Sequence, residues 1–285
     1  MVRIGIIGHT GRLGRPLVEL LNGHPQAEIV FTESRKEGQN GNIDKAELIF
    51  LALPKGESAQ YLSRCERKRI IDLSEDHRTA MDWVYGLPEL NKSRIELAQK
   101  VANPGCYATS IILGLLPIKD YIEQVSIAST SGISGAGLSP TKEDNFLIYN
   151  EGNIHSHLKE INAVINSDKN STSEILFVPQ RIDNTDRGII STIFCNYHGH
   201  NLPIDEYQKF YQNHPFIRLA DTIETKAVNG TNSCHIKIQQ FDNGRMIIVS
   251  TLDNIIKGGS GQAVQNFNLM YGFDEKTGLK TSRLN

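Results

Sequence analysis

The sequence predicts an α/β fold in two parts. Three observations carry that expectation. An apolar β-branched run at the N-terminus leads into a glycine-rich turn and then a helix-spaced segment. Further short apolar runs alternate with helical patterns through the first hundred residues, as in a doubly wound parallel sheet. Beyond Cys106 the runs lengthen and begin to meet at hairpin signals.

The first strand is Val2 to Ile7, followed by Gly8-His9-Thr10-Gly11-Arg12-Leu13-Gly14. Apolar residues at Leu17, Val18, Leu20 and Leu21 give the next segment a helical face, and Pro16 suits its first turn. Strand, glycine turn and helix are the order a dinucleotide cradle requires. The glycines let backbone approach a pyrophosphate, and the helix N-terminus attracts its charge. The spacing is GxxGxxG rather than GxGxxG, and a plain tight turn has the same glycines. Gly8, Thr10, Gly11, Arg12, Leu13 and Gly14 are therefore the candidate cofactor contacts.

A second strand, Glu28 to Phe31, runs into Thr32-Glu33-Ser34-Arg35-Lys36. NAD sites want an acid here for the ribose 2′-hydroxyl, and Glu33 offers one. Ser34 with Arg35 and Lys36 suits a 2′-phosphate better, so the expected cofactor is NADP. Leu48 to Leu53 and Arg69 to Leu73 are two more buried strands, and their ends border the ligand crevice of such sheets.

Cys106 lies in Ala102-Asn103-Pro104-Gly105-Cys106-Tyr107-Ala108-Thr109-Ser110. Asn-Pro-Gly reads as a turn, and the apolar run from Ile111 to Leu116 reads as a buried helix. Cys106 then stands at a helix N-terminus, where unpaired N–H groups favour a thiolate nucleophile and can hold an oxyanion. A buried structural cysteine is the plainer alternative.

Val125 to Thr130 reads as a strand leading into Ser131 to Gly137, a loop rich in N–H and hydroxyl donors for an anion. His155 and His157 follow, two residues apart, with Glu160 close by to orient a ring. Such a pair shuttles protons beside a thiolate. A plain surface pair is the alternative, and a metal pair is a third reading that no further cluster of zinc spacing supports. Arg181 and Arg187 lie between strands Ile175 to Pro179 and Gly188 to Tyr197, placed to fork onto a carboxylate or phosphate. Ile236 to Gln240 and Met246 to Leu252 form a hairpin turned by Asp242-Asn243-Gly244, and Gly261 to Leu269 reads as a closing helix.

Composition narrows the partners. The 285 residues carry a formal net charge of −2, against the basic face that nucleic acid demands. No stretch approaches the ~20 apolar residues of a membrane span. The cysteines (Cys65, Cys106, Cys195 and Cys234) are scattered without metal or CxxC spacing, which fits a reduced, cytoplasmic chain.

With these segments in view, the chain resembles the N-acetyl-gamma-glutamyl-phosphate reductase family of arginine biosynthesis over nearly its whole length. The most specific pieces are Asp72-Leu73-Ser74, Tyr85-Gly86-Leu87-Pro88-Glu89, Ala102 to Tyr107, Ser131 to Gly137, His155 to Ile161, Arg187-Gly188 and Asp253 to Met270. The resemblance implies a Rossmann NADP-binding domain over residues 1–105, completed by 254–285. It also implies a glyceraldehyde-3-phosphate dehydrogenase-like catalytic domain over 106–253, and a homo-oligomer, dimer or tetramer. The implied reaction is NADPH-dependent reduction of an acyl phosphate to an aldehyde. Cys106 is its nucleophile, through a thioester. His157, or next His155, is its acid/base. Ser134, Gly135 and Asn254 join the cofactor site. Arg78, Asn103, Ser131, Gly132 and Arg187 are candidates for the substrate's anionic groups.

The chain departs from the family in several places. Ser34 to Glu47 is short. Ser156, Lys159 and Gln180 stand where Arg, Pro and His are usual, and His77 replaces an aromatic before Arg78. These departures leave open the related lysine-pathway reductase, with a longer acyl chain. An NADP-binding sensor on the same fold is the non-enzyme alternative.

Overall fold

The computed structural model describes residues 1–136, 145–150, 152–167 and 173–282. The chain divides into two compact units: residues 1–105 with 259–280, and residues 106–258 with the last few of the chain.

The first unit is a seven-stranded sheet. Its strands are β1 (Val2–Ile7), β2 (Ala27–Ser34), β3 (Gly38–Gly41), β4 (Leu48–Leu51), β5 (Arg69–Asp72), β6 (Val84–Tyr85) and β7 (Lys100–Ala102). They lie in the order β3-β2-β1-β4-β5-β7-β6, parallel except for the antiparallel edge strand β3. The order reverses at β1, which makes its carboxyl end a topological switch point. β1 and β4 are apolar almost throughout because both faces of the sheet are covered. One face packs α1 (Gly14–Asn22) and α2 (Pro88–Glu96), together with the final helix α6 (Gly261–Met270), which supplies Ala263, Val264 and Phe267 to that core. Leu17 and Leu21 repeat at helical spacing and bury the inner side of α1. The short run after Ser34 is spanned by the β2–β3 hairpin, and β4 begins only seven residues past β3.

α6 is tied down by His24, which is 4% exposed. Its Nδ1 accepts the Gln26 N–H at 3.2 Å, so Nε2 carries the proton and donates to Asn268 Oδ1 at 2.9 Å. Burial holds this imidazole below its ordinary value of 6.5, against the opposing pull of its bond to Asn268, and the Phe267 ring packs against it with ring centres 5.2 Å apart. The unfolded chain therefore takes up the proton first. Stability is full above 6.5 and falls as pH drops from there toward the folded-state value. The urea midpoint of the protein should fall between pH 7 and about pH 5.5, and His24→Gln should lessen that fall. Equal falls in both proteins would contradict this assignment.

The second unit opens on α3 (Cys106–Leu115), and a second seven-stranded sheet follows. Its strands are β8 (Ile122–Gly132), β9 (Phe146–Ile148), β10 (Ile175–Ile182), β11 (Ile189–Tyr197), β12 (Ile217–Leu219), β13 (Cys234–Gln240) and β14 (Arg245–Leu252), in the order β12-β13-β14-β11-β8-β10-β9. β8 pairs in parallel with β10 and antiparallel with β11, so the sheet is mixed. α4 (His157–Ile165) and α5 (Pro203–Tyr211) complete the unit. α3 is buried on all sides beyond its first residue. Ser110, one turn past Cys106, bonds Ser191 at 2.9 Å and Ser250 at 3.0 Å. Ser129 also bonds Ser191, at 2.8 Å. These buried hydroxyls satisfy one another and fix the rotation of α3 over β8, β11 and β14.

Candidate active site

The glycine turn brings backbone into contacts that a side chain at its glycines would block. Gly8 has φ +90°, and a Cβ there would stand 2.2 Å from the Ala52 carbonyl oxygen. Gly11 N–H donates to the Gly8 carbonyl at 2.9 Å, and the Gly8 N–H donates to the Glu33 carbonyl at 2.7 Å, linking the turn to β2. The residue before α1 is Leu13, which has no side-chain acceptor, and no acid lies in the first turn. No side chain caps this helix N-terminus, although the Arg15 N–H donates to the Gly11 carbonyl at 3.1 Å. Leu13 is held from behind, where its carbonyl accepts the Ser260 hydroxyl at 2.7 Å. A turn with three glycines, ahead of a helix without a side-chain cap, fits a dinucleotide pyrophosphate. Thr10 and Arg12 lie in the same turn.

At the end of β2, Ser34 is buried and its hydroxyl accepts the Glu37 N–H at 3.1 Å. Arg35 is exposed and pairs with Glu57 at 2.6 Å.

The stretch before the nucleophile is anchored at every polar group of Asn103, which is fully buried. Its N–H donates to the Asp72 carbonyl at 2.7 Å and its Nδ2 to the Gly259 carbonyl at 3.1 Å. Its Oδ1 accepts from Asn266 at 3.1 Å, and its carbonyl accepts from Arg78 Nε at 3.0 Å. Asn103 was a candidate for substrate. The structure places its amide in the scaffold of the turn. Arg78 also gives one NH2 proton to the Leu73 carbonyl at 3.3 Å. Asp72 is fully buried beside them, accepting from Ser74 and meeting His77 Nδ1 at 2.6 Å, and the His77 ring stacks on Trp83 at 4.2 Å.

In the second unit, Cys106 is the first residue of α3 and is half-buried. The three other cysteines are buried. Burial pushes the thiols of Cys65 and Cys195 up, to about 11 and about 12. Gly258 passes close by, where a Cβ would meet the Cβ of Cys106 at 2.7 Å.

Tyr107 ties the nucleophile's helix to the histidine pair. Its hydroxyl donates to the Gln180 carbonyl at 2.7 Å and accepts from Tyr149 at 3.0 Å. Burial foremost, with Tyr149 next, pushes its phenol well above the ordinary range. The His155 and His157 rings stand edge-on to it at 5.5 and 6.0 Å and lie 4.6 Å from each other. Nδ1 of His155 accepts the backbone N–H of His157 at 3.2 Å, which places the proton of a neutral His155 on Nε2. His157 opens α4, and Glu160 is buried in the same first turn. The structure thus gathers Tyr107, Tyr149, His155 and His157 around one spot. The sequence singled out the histidines and missed the tyrosines. Tyr107 was signalled by its place next to Cys106, whereas Tyr149 and Phe177, whose ring lies 5.5 Å from His155, had no local mark.

The loop after β8 is strapped to residues 185–188. Gly132 N–H donates to the Gly188 carbonyl at 2.9 Å, Ile133 N–H to Thr185 at 2.8 Å and Ser134 N–H to Asp186 at 3.0 Å. Asn254 locks the strap: its Oδ1 accepts the Gly188 N–H at 2.8 Å, and its Nδ2 donates to the Ser134 hydroxyl at 2.9 Å. The Ser131 hydroxyl turns onto the Gly132 carbonyl at 2.9 Å. Gly135 lies in the described part of the loop, and Gly137 lies outside the described residues. Arg187 is flanked by Asp186 and by fully buried Asp253, each at 3.8 Å. Arg181 is engaged by Asp183. Among the described residues, no three His, Cys, Asp or Glu side chains are grouped as metal ligands, and no helix is long and apolar enough to cross a membrane.

Comparison with known proteins finds relatives over nearly the whole chain. A family profile described as the semialdehyde dehydrogenase dimerisation domain matches residues 106–254, and one described as the semialdehyde dehydrogenase NAD binding domain matches residues 36–98. The chain is 35% identical to the N-acetyl-gamma-glutamyl-phosphate reductase of Parabacteroides distasonis, over 98% of both chains. It is 36% identical to that of Karelsulcia muelleri, over 100% of this chain and 99% of the relative. Among solved structures, aspartate semialdehyde dehydrogenase II of Vibrio cholerae superposes with a TM-score of 0.80 at 16% identity, over 95% of this chain and 98% of that one. The Candida albicans enzyme, solved with NADP, gives a TM-score of 0.75 at 14% identity, covering 95% of this chain and 99% of its own. At such identities the structures speak for the fold.

Proposed function

Since the chain belongs to the semialdehyde dehydrogenase family, we propose that it is the reductase that converts N-acetyl-γ-glutamyl phosphate to N-acetyl-glutamate semialdehyde and phosphate, with NADPH. The observation that carries this is Cys106 at the open end of α3, beside Tyr107 and the two histidines packed against its ring.

The residues divide the work as follows. The N-terminus of α3 stabilises the Cys106 thiolate and the oxyanion that forms when sulfur attacks the acyl carbon. The carbon–oxygen bond to phosphate breaks, phosphate leaves with the electron pair, and a thioester on Cys106 remains. When bound, NADPH supplies the hydride that brings the acyl carbon to the aldehyde level. His157, or His155 in its place, holds a proton at the substrate-derived oxygen and takes it back as the carbon–sulfur bond breaks. Gly8, Thr10, Gly11, Arg12, Leu13 and Gly14 hold the pyrophosphate. Ser34, Arg35 and Lys36 support the choice of NADPH, because a hydroxyl and two cations suit a 2′-phosphate. Ser131, Gly132 and Arg187 are the groups offered to the substrate's anions. Ser134, Gly135 and Asn254 shape the cofactor side of the second unit.

The reading includes a homo-oligomer. The matched dimerisation domain carries exposed apolar residues on β10 and β11: Leu176 is 51%, Val178 40% and Phe194 46% exposed. A monomer in sedimentation at micromolar concentration would count against it.

The reverse assay tests the chemistry. NADP+ should be reduced with N-acetyl-glutamate semialdehyde only when phosphate is present, and prior alkylation of Cys106 should stop it. Turnover with the aminoadipate homologue alone would move the substrate to the longer chain. Phosphate-independent turnover would sink the acyl-phosphate reading.

A further inference from the structure

The end of β2 carries an acid where an NADP site is least served by one. Glu33 is bonded through its carbonyl to the first glycine of the cradle, at 2.7 Å. An acid at this point of the fold accepts the ribose hydroxyls of NAD, and set against a 2′-phosphate it repels. In this chain the carboxylate is covered. Arg64 forks onto both oxygens, NH1 to Oε1 at 3.2 Å and NH2 to Oε2 at 2.8 Å, and its guanidinium lies 5.5 Å from the Tyr61 ring centre. Two other acids near this strand end are paired by single contacts, Glu57 with Arg35 at 2.6 Å and Glu37 with His9 at 3.0 Å. Their side chains are 21% and 58% exposed, whereas that of Glu33 is 14% exposed. The bidentate pair is thus the most enclosed of the three and the one on the residue that touches the cradle. Its planar fork occupies both oxygens of the carboxylate.

We infer that Arg64 is a specificity-determining residue for the nucleotide: by covering the Glu33 carboxylate it lets the end of β2 accept a ribose bearing a 2′-phosphate. This rests on the NADP reading given above. Arg64 acts through Glu33, so removing the arginine uncovers a carboxylate, and removing both leaves nothing to repel the phosphate.

Calorimetric titration of the full-length protein with NADP+ and with NAD+ tests it, using wild type, R64Q, E33Q and the double variant. Circular dichroism confirms the fold of each, and the part-exposed position of Arg64 makes the change a surface one. The wild type should prefer NADP+. R64Q should lose about tenfold in NADP+ affinity while holding or gaining NAD+. E33Q should bind NADP+ at least as well as wild type. The double variant should return to within about threefold of wild type for NADP+. A preference that survives R64Q overturns the inference, as does a double variant as weak as R64Q, which would make Arg64 a direct phosphate contact. A wild type with no preference for NADP+ overturns the cofactor reading itself, a result separable from the other two.

Discussion

Replacing Cys106 by serine should lower reductive turnover by about four orders of magnitude while leaving NADP+ affinity unchanged. A hydroxyl is a far weaker nucleophile than a thiolate, and its ester would be a poorer acyl carrier than a thioester. The remaining cysteines cannot stand in. Cys65 and Cys195 are buried with thiols pushed to about 11 and about 12, and Cys234 is fully buried on β13. The cofactor's cradle belongs to the other unit and contains no cysteine. Single-turnover assays with the acyl phosphate, together with a separate NADP+ titration, measure both halves. Turnover within tenfold of wild type would remove Cys106 from the mechanism.

Gly14→Ala should do the reverse, abolishing tight cofactor binding while sparing the thiol. A Cβ at Gly14 would stand 2.1 Å from the Gly8 carbonyl oxygen and 2.8 Å from the His9 backbone. These neighbours are main chain, so they cannot rotate away. The turn must open, breaking the Gly11-to-Gly8 bond that shapes it. Forced overpacking of this kind costs about 3 kcal/mol, and a cradle distorted to that degree should lose about a hundredfold in NADP+ affinity. Gly23→Ala, at the far end of the same helix, is the control: its Cβ has no neighbour closer than 3.7 Å. Calorimetry on both variants, with iodoacetamide kinetics at Cys106, reads the effect. Equal NADP+ affinity in the two would show that the turn does not hold the nucleotide.

The parts of the fold that the sequence made legible are those whose burial is local. β1 and β4 are apolar runs closed by glycine or proline, and α3 announces itself by Asn-Pro-Gly before an unbroken apolar stretch. β3 was not legible, because Gly38-Gln39-Asn40-Gly41 has no apolar residue and pairs only as a solvent-facing edge. α5 was missed although Pro203 at its start and Asp205 and Glu206 in its first turn are helix-opening signals. β10 reads as an apolar run, but nothing in it separates buried Ile175 and Phe177 from exposed Leu176 and Val178.

The site was legible in the same measure. Glycine turn, Cys106 and the histidine pair each carry a short-range pattern. Asn103 and Asn254 enter as site candidates through the family resemblance, and the hydrogen bonds of their amides carry no local mark. Their partners lie as far off as Gly259 and Ser134, 156 and 120 residues along the chain. Arg64, likewise, sits 31 residues from the acid it covers.

The contribution of α6 to the first core bears on the order in which the molecule can be finished during synthesis. All seven strands of the first sheet are synthesised before Cys106, yet Ala263, Val264 and Phe267, which help to cover one of its faces, come last. The second unit is almost one uninterrupted segment, complete to Gly258 before that cover exists. The nascent chain therefore carries a first sheet that is only partly covered through the whole translation of the second unit. A transcript cut short before Gly259 yields every strand of both sheets and still leaves Leu48, Phe50 and Ile71 without the part of their cover that α6 supplies.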